Sequence, residues 1–94
     1  MRGRVWRYQG SAPWHFVSLP KKESVEIKKE FAKAARAWGS LAVLATIGKT
    51  KWATSVFRDK KSDTYLLPLK SEIRKKLEIA EGDTIDFCLE IQKT

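Results

Sequence analysis

The chain predicts a mainly β protein of the α+β kind. The expected form is a small β-barrel of about six to seven strands, with one longer helix (about 20–38) and one short helix (about 70–77). Three observations carry this. Residues 84–91, TIDFCLEI, alternate strictly, with Ile85, Phe87, Leu89 and Ile91 on one face and Thr84, Asp86, Cys88 and Glu90 on the other. Residues 41–47, LAVLATI, form an apolar run too short for a buried helix, and a Gly-Lys-Thr turn leads from it into KWATSVFR at 51–58, which reads as a return strand. Finally, Leu19-Pro20 and Leu67-Pro68 each follow a strand-like segment and precede a helix-like one.

Taken in order, RVWRYQ at 4–9 alternates, with Trp6 and Tyr8 sharing a face, and Gly10-Ser11-Ala12-Pro13 turns the chain. WHFVSL at 14–19 reads as a second strand, apolar on both faces. From Pro20 to Trp38 the apolar residues Ile27, Phe31, Ala34, Ala35 and Trp38 form one helical stripe, and Gly39 is a stop signal. Acids lie early in that segment and bases late, which suits the helix dipole. The 41–47 and 51–58 strands come next, then a polar loop over 59–63 and a strand over 64–69. In the short helix Ile73 and Leu77 face inward, and Glu81-Gly82-Asp83 turns into the last strand. The segments FVSLPKK (16–22) and YLLPLKS (65–71) echo each other, as a duplicated half-barrel would.

Ninety-four residues are enough for one domain, and a chain this short buries about 60% of its unfolded surface. Four Trp, four Phe and two Tyr supply bulk for a small core. One Cys rules out an internal disulfide, so a reducing, cytoplasmic setting is expected. The charged start, MRGRVWRYQG, has no apolar stretch of the signal-peptide kind, and no run is long enough to span a bilayer, so no membrane partner is expected. The net charge is +8, and it is uneven: five acids and no Lys or Arg lie between Glu78 and Gln92. A basic excess permits nucleic-acid binding without establishing it.

Two resemblances bear on the fold. LPLKSEIRKKLEIAEGDTIDF, through Pro68, Ile73, Arg74, Leu77, Ile79, Gly82 and Asp83, resembles the swapped-hairpin module of AbrB-type regulators and MazE-type antitoxins. WHFVSLP at 14–20, TKWATSVF at 50–57 and YLLPLKSEIRKKLEIAEGD at 65–83 together resemble a bacterial family of unknown function, DUF1905. That likeness implies a double-split β-barrel, in which one chain supplies both halves that AbrB-type proteins take from two. It implies no activity.

Catalytic signals are few. Gly48-Lys49-Thr50 lacks the upstream glycine of a P-loop, since Val43 stands there, and a strand rather than a helix follows. A hairpin turn accounts for it. His15 is the only histidine and has no metal-ligand companions in sequence. Cys88 lies between Asp86 and Glu90, whose charge disfavours a thiolate. Asp86 and Glu90, with Asp83 beyond, read as charge balance for a basic first strand, with Arg7 expected near Asp86 or Glu90 if first and last strands close the barrel. No catalytic residue, metal or cofactor is therefore expected.

Basic residues are the remaining signal. Arg4 and Arg7 lie near the start, Lys49 and Lys51 at a hairpin tip, Arg58, Lys60 and Lys61 around the next loop, and Arg74 on the short helix. These eight are the candidate nucleic-acid contacts, through phosphate charge and base stacking on Trp6 and Trp52 interleaved among them. The alternative is a protein-interaction or small-ligand domain with a surface lined by Trp14, Trp38 and Trp52. A complete single-chain barrel is compatible with a monomer, and exposed strand edges with a homodimer.

Overall fold

The structure is a computed structural model that describes residues 1–11, 13–31 and 40–92. It holds seven strands: β1 (Arg2–Arg7), β2 (His15–Ser18), β3 (Leu41–Ile47), β4 (Thr50–Asp59), β5 (Thr64–Pro68), β6 (Thr84–Asp86) and β7 (Cys88–Ile91). Helix α1 (Lys21–Phe31) lies between β2 and β3, and helix α2 (Ser71–Leu77) between β5 and β6. The long helix expected to reach residue 38 is seen to Phe31, and the rest of that stretch, Trp38 included, lies outside the described residues.

All seven strands join one sheet in the order β6-β1-β2-β5-β4-β3-β7, and every pairing is antiparallel. The two edge strands are halves of one segment. The expected continuous strand over 84–91 divides at Phe87, with β6 pairing to β1 and β7 to β3. A single bend thus joins both sheet edges and nearly closes a barrel, leaving little unpaired edge. At the bend Phe87 N–H donates to Met1 O (2.7 Å), while its ring is buried at 2% exposure. The inward alternation survives the bend: Ile85 and Phe87 are buried, and Leu89 and Ile91 pack against the same core. Gly3 lets β1 approach at this corner, because a Cβ there would sit 2.6 Å from Val17 Cγ2 and 3.0 Å from Ser18 O.

The barrel contains two interlocked halves, each built as two strands, a helix and a further strand. Leu19 N–H donates to Tyr65 O and Leu69 N–H to His15 O, both at 2.9 Å. Ser24 N–H donates to Pro20 O and Arg74 N–H to Lys70 O, both at 3.0 Å. Leu19 and Leu69 are therefore equivalent, as are Pro20 and Lys70. The sequence echo corresponds to real architecture, but its two Leu-Pro steps are not the matching points: Pro68 lies inside β5 opposite Phe16, two positions before the residue that matches Pro20. Helix-opening geometry, rather than proline itself, is the repeated element.

The core runs through the barrel from Val5, Val17 and Leu19 to Val43, Ala45, Val56, Leu67, Leu69 and Phe87, all at 2% exposure or less. Helix α1 packs against β5, with Ile27 against the core. Its Ser24 is buried, and the Oγ accepts a hydrogen bond from Tyr65 N–H at 3.0 Å, tying the helix to the start of β5. Helix α2 lies with Ile73 and Leu77 half-buried, as their spacing predicts. No helix among the described residues is long and apolar enough to cross a membrane.

Candidate functional site

The outer face of β1, β2, β5 and β4 is aromatic where alternation would ordinarily leave it polar. Val5 points into the barrel, so Arg4 and Trp6 point out. Val17 and Leu67 point in, so Phe16, Leu66 and Pro68 point out. Val56 points in, so Phe57 points out. Trp6 lies opposite Phe16, their ring centroids 5.2 Å apart, and Trp6 Nε1–H donates to Ser18 Oγ at 2.9 Å. Trp14 also stacks on Phe16, with an interplanar angle of 7° and a centroid distance of 6.2 Å. Tyr8 is joined to Trp14 by a backbone bond, Tyr8 N–H to Trp14 O, at 2.8 Å. Three of these rings remain open to solvent: Trp14 at 53% exposure, Tyr8 at 50% and Phe57 at 43%.

Three depressions meet at Trp14. One, of about 300 Å³, is lined by Tyr8, Trp14, Phe16, Phe57 and Leu66, with scarcely any polar surface. A second, of about 330 Å³, lies beyond Trp14 at the barrel end and includes His15, Leu69, Lys70 and Arg74. A third, of about 440 Å³, crosses β5 from Trp14 and Lys70 to Ala53, Ser55 and Phe57. Gly10 shapes the first: a Cβ there would overlap the Tyr8 ring, so glycine allows that ring to lie against the turn.

Cations border this face unevenly. Arg74 sits in the groove beyond Trp14, its Nε–H donating to Leu69 O at 3.1 Å, and Lys70 is exposed beside it. Arg7 lies opposite His15 at the same barrel end and makes no ion pair among the described residues. His15 Nδ1 is 3.1 Å from Pro13 O, a contact that requires the proton on Nδ1. Arg4 is exposed on the outer side of β1, next to Trp6 along the strand, and Lys51 is exposed on the outer side of β4.

The other expected basic contacts lie elsewhere. Lys49 occupies the tip of the β3–β4 hairpin, while Lys60 and Lys61 follow the far end of β4. A ten-residue strand separates these two groups, a span of about 30 Å. Arg58 is committed to Asp63, with Nη2 donating to Oδ1 at 2.5 Å, and that hydrogen bond and charge hold the Asp63 carboxyl below its ordinary value of 3.8. The eight cations therefore do not form one patch; Arg4, Arg7, Lys51 and Arg74 border the aromatic face and its ends.

Two further expectations need correction. Trp52 does not share a surface with Trp14: it has the inward parity of Val56, is half-buried against the core, and its buried Nε1 has no hydrogen-bond partner among the described residues. Arg7 is not the cation that meets the last strand. The β1–β6 register sets Arg2 opposite Asp86, and Arg2 Nε donates to Asp86 Oδ1 at 2.9 Å. The antiparallel direction carries Arg7 to the other end of β1. The carboxyl of Asp86 is held below its ordinary value by that hydrogen bond. First and last strands do pair, as expected, but in a register that sets Arg2 rather than Arg7 against Asp86.

Tyr8, Phe16 and Phe57 are the site residues that sequence reasoning missed. The signal was present: a strand apolar on both faces, at 14–19, has an outer face that water does not suit. Cys88 is free and exposed, and among the described residues no group of three His, Cys, Asp or Glu side chains is placed to hold a metal ion.

The fold and this face define a nearly closed single-chain β-barrel with an aromatic outer surface. The chain belongs to the family described as domain of unknown function DUF1905, whose model matches residues 2–89. No curated protein matches it.

Proposed function

We propose that this protein is a non-catalytic binding module whose aromatic outer face takes single-stranded nucleic acid. The observation that carries the reading is the grouping of three solvent-open rings, Tyr8, Trp14 and Phe57, on one side of the sheet, with Lys70 and Arg74 at one border. Sheet-mounted rings flanked by cations suit unpaired bases, since every base has a face to stack and every phosphate a charge to neutralise. Duplex DNA buries those base faces and suits this surface less. The likeness of 68–83 to the DNA-binding AbrB-type module adds support, as does the net charge of +8.

A protein partner is the second reading, favoured by the cleft lined by Tyr8, Trp14, Phe16, Phe57 and Leu66, which contains no cation. Fluorescence anisotropy separates the two. Labelled single strands are expected to bind more tightly than duplex of the same sequence, with affinity falling steeply as salt rises. Absence of single-strand binding at low salt refutes the nucleic-acid reading and directs attention to a protein partner.

A further inference from the structure

Resting on that reading, we infer that Trp14 divides the face into two subsites with different chemistry. The apolar cleft on one side takes one unpaired base, and the groove with Lys70 and Arg74 takes the phosphate next to it. Trp14 lines both depressions, so one ligand occupying both must pass over its ring.

The apolar subsite is an open cleft lined by Tyr8, Phe16, Phe57 and Leu66 and offers almost no hydrogen-bonding surface. It can hold a flat ring by stacking and exclusion of water, but it cannot read a donor and acceptor pattern. Phe16 is already stacked on Trp14 with nearly parallel planes, which fixes the orientation of the indole before a ligand arrives. The other subsite is the reverse. Lys70 is exposed and makes no side-chain bond among the described residues, and the Arg74 guanidinium is held along the groove by its Nε bond to Leu69 O. That leaves its remaining N–H groups for an anion. The recognised unit is thus a base with its adjoining phosphate, taken without regard to base identity. Binding is single-strand selective and sequence-tolerant.

The test uses a fluorescein-labelled oligothymidylate of about 12 nucleotides, an abasic oligomer of the same length and charge, and an acidic peptide. Anisotropy is measured over a salt series. The normal protein is expected to bind the oligothymidylate best and the abasic oligomer with the same salt slope but more weakly. Trp14→Leu is expected to weaken oligothymidylate about 10-fold at every salt concentration without changing the slope, and to leave the abasic oligomer unaffected. Lys70→Ala is expected to reduce the slope by about 0.7, the share of one single-strand phosphate contact. Arg74→Ala adds a similar reduction; because Arg74 also bonds Leu69 O, Lys70→Ala is the decisive variant. Equal binding of abasic and normal oligomers overturns the base subsite, and an unchanged slope in Lys70→Ala overturns the phosphate subsite, while single-strand binding as such stands in either case. If nothing but the acidic peptide binds, the nucleic-acid reading itself fails.

Discussion

The two hairpins that face each other across the β2–β5 pair, β1–β2 and β4–β5, have the same backbone and opposite surfaces. Their registers make Val5 equivalent to Val56, Val17 to Leu67 and Leu19 to Leu69, and all six are buried apolar residues. On the outside the same registers match Trp6 with Phe57 and Phe16 with Leu66, and then the likeness ends. Tyr8 is matched by Asp59, and Trp14 by Thr64. Arg7 is matched by Arg58, but Asp63 neutralises Arg58 while the β1–β2 turn has no acid at all. The interior is alike because each half must fill one barrel, and volume there is not negotiable. The exterior is free to differ: of the three solvent-open rings, Tyr8 and Trp14 lie on the β1–β2 hairpin and only Phe57 on the other.

The sharpest challenge to the equivalence of the interiors is a matched pair of truncations. Leu19→Ala and Leu69→Ala should each cost about 2–5 kcal/mol, as a buried leucine does, and by similar amounts. Urea unfolding measures both, and a large cost in only one would show that the halves are not energetically alike. The contrast between exteriors is tested by binding. Trp14→Ala should weaken single-strand affinity by about 1–3 kcal/mol, one base's worth of stacking, whereas Thr64→Ala at the matching site should leave it unchanged. Equal losses would mean that the surface binds symmetrically.

Ser18→Ala removes the acceptor of the Trp6 Nε1–H and should cost about 0.5–1.5 kcal/mol in thermal unfolding. On the other hairpin Phe57 has no N–H to satisfy, and Pro68 occupies the place of Ser18. The smallest effect concerns pH. The Asp63 carboxyl is depressed below 3.8 by Arg58, so its contribution to folding is fully present above that value and is lost as pH falls through the depressed one. Hydrogen exchange should therefore show the β4–β5 loop loosening on acidification below about pH 4, with no matching change in the β1–β2 turn. Equal loosening of both loops would assign the effect to global unfolding.

Much of this arrangement was legible in the residues. LAVLATI and KWATSVFR form a hairpin around Gly48 and Lys49, the alternation of 84–91 gives its inward set correctly, and Pro20 stands just before α1. These are local signals, carried by period and turn chemistry over a few residues. The candidate site was half legible. The sequence points to Trp14 but groups Trp52 with it, because large aromatics look alike until strand parity is known, and in it Tyr8, Phe16 and Phe57 read as ordinary strand residues.

By itself, then, the sequence determined which segments are strands and helices, which side of most strands is apolar, and that the surface is basic. Only the tertiary structure decided how they meet: the division of the last strand at Phe87, the register that gives Asp86 to Arg2 instead of Arg7, and the gathering of rings from β1, β2 and β4 around Trp14. Period and turn chemistry act between neighbours in the chain. Register and partner choice are set between residues as distant as Arg2 and Asp86, where barrel closure and core volume select one pairing among several that the local pattern allows.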